Sequence, residues 1–174
     1  ASPIKQNSET KLHVVIPVLP RTSNHTDWDA LRLHPNVQVT LVRKNEAIPP
    51  ADLVILPGSK SVQSDLAFLR ELGWEDYIAR HLRYGGKVLG ICGGFQMLGE
   101  YLDDPLGMEN AEPSSAKGLG YIPMRTELKD GKQLKQRTGV ISSLGDAYIK
   151  GYEIHSGVSA FHQSVQHFAT LENG

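Results

Sequence analysis

The sequence predicts an α/β protein: a mostly parallel central sheet with helices on both faces and antiparallel strands added at the sheet edge. Three observations carry that prediction. Short apolar, β-branched runs recur through the first half of the chain without polar alternation, as strands buried on both faces do. Segments of helical spacing separate them. Beyond Leu102 the composition shifts to glycine, proline and charge, with short strand-like segments set between turn residues.

The elements follow in order. Leu12 to Pro17, "LHVVIP", reads as the first strand, and Thr26 and Asp27 then cap a short helix that Pro35 stops. Val37 to Val42, "VQVTLV", is the second strand, and Asp52 to Gly58, "DLVILPG", the third. "SKSVQSDLAFLREL" reads as a helix with Leu66, Leu69 and Leu72 on one face, and "WEDYIARHLRYGG" as another, closed by Gly85 and Gly86. Lys87 to Cys92, "KVLGIC", is a fourth strand, with the helix "GFQMLGEYL" directly after it. Further strands are expected over Gly120 to Glu127, Gln136 to Ser142 and Ala147 to Ile154.

Composition bounds what such a protein does. The chain has 174 residues, a length that fits one domain with its own core. A formal net charge of -1 gives no basic stripe for a nucleic acid to follow. No apolar run approaches the roughly 20 residues of a membrane helix. A single cysteine excludes an internal disulfide and fits a reducing compartment, so a cytoplasmic location is expected. Two histidines, His162 and His167, without a third ligand make no metal site, and none is expected.

That one cysteine stands in "KVLGICGGFQMLG". Gly90-Ile91-Cys92-Gly93-Gly94 has the G-x-C-x-G form of a nucleophile elbow, a sharp strand-to-helix turn that only small neighbours tolerate. A helix starting at Gly93 aims its positive end at the sulfur and favours the thiolate. The Gly93 amide can face an oxyanion formed on a carbonyl that Cys92 attacks. Buried strand-end thiols are also common, and spacing alone leaves nucleophile and inert thiol both open. "LPGSKS" moves the balance: Gly58 lies just past another parallel strand, on the same carboxyl edge where ligands of open sheets bind, and offers a second amide donor.

"SNHTDWDAL", "LPGSKS", "RHLRYGGKVLGICGGFQMLG", "DPLG", "GLG" and "GYEIHSGV", in this order, resemble the cobyrinate-type class I glutamine amidotransferases, the glutaminase domain of cobyric acid synthases. The resemblance runs from about Leu12 to about Val158. It implies a flavodoxin-like glutaminase fold, with Cys92 as the nucleophile that takes glutamine's side-chain amide through a thioester. It places Gly58 and Gly93 at the oxyanion hole and Gln96 against the glutamine, with Ser59 a further candidate contact. Asn24 and Asp27 follow the first strand and are expected at the glutamine pocket or a domain interface. His155 is expected in a supporting or interface role. Trp28 reads as a packing residue.

The resemblance also implies a partner, an N-terminal synthetase domain that uses ATP and Mg to amidate carboxylates of adenosylcobyrinic acid a,c-diamide with the released ammonia. This domain itself is expected to need no cofactor. The family's catalytic histidine lies in a motif like T-Y-L-H-G, and "SAFHQSVQHFATLENG" holds no such motif. Residues 12–174 are therefore expected to be a glutaminase domain cut short at its C-terminus and inactive alone, while residues 1–11, "ASPIKQNSETK", have no apolar stretch and are expected to be a linker or arm. Two alternatives share the elbow: a glutaminase subunit that amidates cell-wall lipid II, and a non-catalytic or redox thiol module.

Overall fold

A computed structural model describes residues 11–172. The linker expected over 1–11 thus lies, apart from Lys11, outside the described residues. The chain divides into two compact units, one running to Phe95 and one starting at Gln96.

The first unit is built on four parallel strands: β1 (Leu12–Pro17), β2 (Val37–Val42), β3 (Leu53–Leu56) and β4 (Lys87–Gly90). Their order is β2-β1-β3-β4, the start of the flavodoxin-like winding. The chain steps one way across the sheet from β1 to β2 and the other way from β3 to β4. Right-handed crossovers then put α1 (Asp29–Leu33) on one face, and α2 (Val62–Glu71) and α3 (Trp74–Arg83) on the other.

Side chains alternate between the two faces along each strand, and β1 and β3 are buried on both. Val14 and Ile16 of β1, Ile55 of β3 and Trp28 form one buried cluster, with Leu31 of α1 packed against it. Val15, Val54 and Leu56 point to the opposite face and are equally buried. There α2 and α3 bury Leu66, Leu69, Trp74 and Ile78. Trp28 is a packing residue, as its sequence context suggested. Thr26 and Asp27 do not cap α1, whose N-cap is Trp28 without a side-chain bond. They bond Asn24 instead: Thr26 donates to its side-chain carbonyl at 2.9 Å, and Asp27 accepts from its amide.

The helix after the fourth strand is shorter than its sequence suggests. It spans only Gly93–Met97 (α4). Glu100 then donates its amide to the Met124 carbonyl at 2.9 Å and accepts from the Gly118 amide at 2.7 Å. Those bonds draw the following residues into strand β5 (Tyr101–Asp104), a tertiary override of helical spacing.

In the second unit β5, β6 (Ser114–Lys117), β7 (Met124–Ile141), β8 (Ala147–Phe161) and β9 (Thr170–Leu171) form a second sheet, ordered β6-β5-β7-β8, with β9 also on β7. The antiparallel strands expected at the edge of the parallel sheet thus pair with one another. Two expected strands, Gly120 to Glu127 and Gln136 to Ser142, are largely one long strand, β7, whose pairing with β8 shifts register between Leu128 and Gln133. The charged "KDGKQLKQR" is part of this hairpin, as its composition implied.

Candidate active site

The carboxyl edge of the parallel sheet gathers three turns of the first unit. The turn after β1 and the turn after β3 are zipped together: the Ser23 amide donates to the Gly58 carbonyl at 2.9 Å, and the Lys60 amide to the Arg21 carbonyl at 2.8 Å. Thr22 and Ser59 form an isolated antiparallel bridge. β1 and β3 flank the point where the winding of the sheet reverses, so this edge is where an open α/β sheet places ligands.

The third turn is the elbow after β4. Cys92 adopts φ +50°, a left-handed conformation that a non-glycine residue holds at a cost of about 1–3 kcal/mol. Its surroundings enforce it. The Ile91 amide donates to the Leu56 carbonyl at 2.9 Å, and the Gly94 amide to the Ile91 carbonyl at 2.8 Å, closing the turn over Cys92 and Gly93. A Cβ at Gly94 would overlap the Leu56 carbonyl oxygen, and one at Gly90 would lie 2.6 Å from the Phe95 nitrogen and 2.7 Å from the Gly94 carbonyl carbon. Both flanking glycines of the G-x-C-x-G pattern are therefore steric requirements of the fold. The thiol they frame is exposed.

Gly58 and Gly93 border this thiol. A Cβ on Gly58 would lie 3.7 Å from Cβ of Cys92 and overlap the Ser23 hydroxyl oxygen. A Cβ on Gly93 would sit 3.0 Å from the Ser59 nitrogen. Neither the Gly58 nor the Gly93 amide donates to a partner among the described residues. Because α4 has only five residues, what the elbow offers is local backbone N–H groups rather than a long helix dipole.

Ser59 is nearly buried, and its hydroxyl is committed: it donates to Asp65 Oδ2 at 2.6 Å and accepts from the Ser61 amide at 3.1 Å. Asn24 and Asp27 hold each other within the loop after β1, and burial pushes the Asp27 carboxyl up, with the Asn24 hydrogen bond opposing it. Sequence reasoning missed Ser23, Arg21 and Asp65. The signal for Ser23 and Arg21 was their place directly after β1, at the switch point. An acidic residue in the first turn of a helix gave no hint that Asp65 would be buried.

Gln96 and His155 belong to the second unit. Gln96 is buried, and Gly157 leaves it room: a Cβ there would stand 2.8 Å from Gln96 Nε2. His155 lies in a polar row on β8 and β7. Its Nε2 is 2.7 Å from Glu153 Oε1 and its Nδ1 2.7 Å from the Gly157 carbonyl oxygen, while Arg137 Nε donates to Glu153 Oε2 at 2.6 Å. Both ring nitrogens thus lie within hydrogen-bond distance of an acceptor oxygen. His162 pairs with Glu100 at 2.7 Å, and no cluster of three or more metal-ligating side chains occurs among the described residues.

A parallel α/β sheet carrying an exposed thiol on a strand-to-helix elbow, beside a glycine turn at its switch point, defines the class of elbow-cysteine α/β proteins. Comparison with known proteins narrows it. The model of the CobB/CobQ-like glutamine amidotransferase domain matches residues 13–174. A cobyric acid synthase from Marinomonas sp. (strain MWYL1) is 67% identical over 176 residues, covering 99% of this chain and 35% of that protein. The chain therefore spans about a third of that relative's length. Among solved structures, that of PurLQS from Thermotoga maritima superposes with TM-score 0.67 at 15% identity, over 94% of this chain and 76% of that one. A crystal structure of a glutamine amidotransferase superposes with TM-score 0.60 at 21% identity, over 90% and 78%. The chain belongs to the CobB/CobQ-like glutamine amidotransferase family. The two superpositions place it in the class I glutaminase fold that the sequence implied.

Two outcomes follow from this geometry. Gly94→Ala is expected to destabilise the chain by about 1–3 kcal/mol, because backbone atoms must move to admit a methyl group; denaturant unfolding at unchanged slope checks it. Glu153, held by hydrogen bonds from His155 and then Arg137, has its carboxyl pulled from 4.5 to about 2. Its stabilisation is complete above the unfolded value near 4.5 and fades as pH falls toward about 2. Glu153→Gln should therefore lower the melting temperature above pH ~5, with the gap to wild type closing through that window; a gap constant with pH would contradict it.

Proposed function

We propose that this chain is the glutaminase part of a cobyric acid synthase. Cys92 attacks the side-chain amide of glutamine: Sγ bonds to Cδ, and the C–N bond breaks. Nitrogen leaves as ammonia carrying the thiol proton, and water hydrolyses the thioester to glutamate. The developing oxyanion is met by the amides of Gly58 and Gly93, and Gln96 holds the glutamine. The observation that carries this reading is the left-handed Cys92 with both bordering amides unengaged, in a chain 67% identical to a cobyric acid synthase. That identity favours this branch over a lipid II amidating subunit.

In the whole enzyme the ammonia reaches a synthetase portion that binds ATP and Mg and amidates carboxylates of adenosylcobyrinic acid a,c-diamide, in cobalamin biosynthesis. The glutaminase part uses no cofactor of its own. No helix among the described residues is long and apolar enough to cross a membrane, which accords with the proposed cytoplasmic setting.

Thiol attack on an amide needs a base, and the leaving nitrogen needs an acid. No T-Y-L-H-G-like segment occurs in the 174 residues, and His155 is engaged on both nitrogens. We therefore assign neither role to a residue of this chain.

The test uses the γ-(4-nitrophenyl) ester of glutamate, which carries glutamine's acyl group on a leaving group that departs without a proton. One equivalent of nitrophenolate should appear in a burst, with a γ-glutamyl mass gained at Cys92, and Cys92→Ala should abolish both. A burst that survives Cys92→Ala would overturn the assignment. With glutamine itself, turnover by the 174-residue chain should fall at least about 100-fold below an ordinary kcat of roughly 10 per second; turnover in the ordinary range would place the base within this chain.

A further inference from the structure

The turn that carries Gly58 is held from beneath by a side chain that thioester chemistry itself does not require. Asp65, in the first turn of α2, is fully buried. Its Oδ2 accepts from Ser59 Oγ at 2.6 Å, the residue directly after Gly58. Its Oδ1 is buried without a hydrogen bond, and its nearest opposite charge is Arg21 Nη1, 3.7 Å away on a half-exposed side chain. A buried carboxylate is costly unless it is paired. Core packing explains no charge here, and an asparagine would hold Ser59 equally well. What the charge adds is Arg21.

Ser59 and Arg21 belong to the two turns that flank the switch point. One carboxylate therefore grips the turn after β3 through a hydrogen bond and the turn after β1 through an ion pair. Backbone bonds complete the clamp: Ser23 to the Gly58 carbonyl, and Lys60 to the Arg21 carbonyl. Between them they hold the Gly58 peptide in place beside Cys92, where a Cβ on Gly58 would lie 3.7 Å from the Cys92 Cβ.

We infer that Asp65 is a positioning residue of the oxyanion hole, acting on the Gly58 amide through Ser59 and Arg21. This rests on the thioester reading above. An oxyanion donor accelerates the reaction by being already aimed where charge develops. Loosening it slows acylation and leaves binding of the acyl group unchanged.

The experiment measures the burst rate with the γ-(4-nitrophenyl) ester against ester concentration, for wild type, Ser59→Ala, Ser59→Thr, Asp65→Asn and the double variant Ser59→Ala/Asp65→Asn. Ser59→Ala and Asp65→Asn should each cut the limiting acylation rate by roughly 10- to 100-fold, below the full loss of a donor. The half-saturating concentration should stay within about threefold. Ser59→Thr, which keeps the hydroxyl, should restore most of the rate. The double variant should be no slower than the slower single one, since both act through one clamp. If Asp65→Asn fails to fold, Ser59→Ala and Ser59→Thr decide alone. A folded Ser59→Ala variant with the wild-type limiting rate, a loss confined to half-saturation, or rate losses that multiply in the double variant would overturn the inference. A wild-type chain without any burst would instead refute the thioester reading, and this role with it.

Discussion

The backbone of the elbow lies directly against the end of the neighbouring strand. At Gly94 there is no space for even a methyl group beside the Leu56 carbonyl oxygen, and at Gly90 none beside Phe95. That close approach dictates the rest of the site. It turns β4 back on itself within two residues and drives Cys92 to φ +50°. It also brings the thiol to the border of Gly58, at the end of β3. The strain in one cysteine is held by backbone bonds to β3, a strand buried on both faces, the kind of over-determined surrounding that such strain requires.

The site is thus less a set of side chains than a set of backbone turns. Each turn ends a parallel strand, and each is fastened to its neighbour: Ser23 to Gly58, Lys60 to Arg21, Ile91 to Leu56. Side chains enter as fasteners. Ser59 spends its hydroxyl on Asp65 and on the Ser61 amide.

Much of this was legible in the sequence, for identifiable reasons. Inner strands β1 and β3 are buried on both faces and write themselves as continuous apolar runs, and the outer strands carry short β-branched or apolar runs bounded by turn residues, so β1 and β2 emerge with their observed ends, and β3 and β4 within two residues of theirs. The elbow was legible because its steric demand falls on glycines at fixed spacing around one cysteine. The second unit was harder. β7 and β8 make a long hairpin that leaves Leu134, Tyr148, Tyr152 and Ile154 largely exposed, so little buried face imprints an alternation. β5 was hidden within a helical spacing that bonds from Glu100 to Met124 and Gly118 override. Asp65 was invisible because a helix N-terminus is where an acidic residue ordinarily faces water.

The proposed chemistry requires the amides of Gly58 and Gly93 to face the carbonyl that Cys92 would attack. The most direct measurement is a crystal structure of the chain after reaction with a diazo-ketone analogue of glutamine. A covalent bond to Sγ of Cys92 is expected, with the analogue's carbonyl oxygen about 2.7–3.1 Å from the amides of Gly58 and Gly93. An adduct on Cys92 whose oxygen points away from both amides, or no adduct on Cys92, would contradict it.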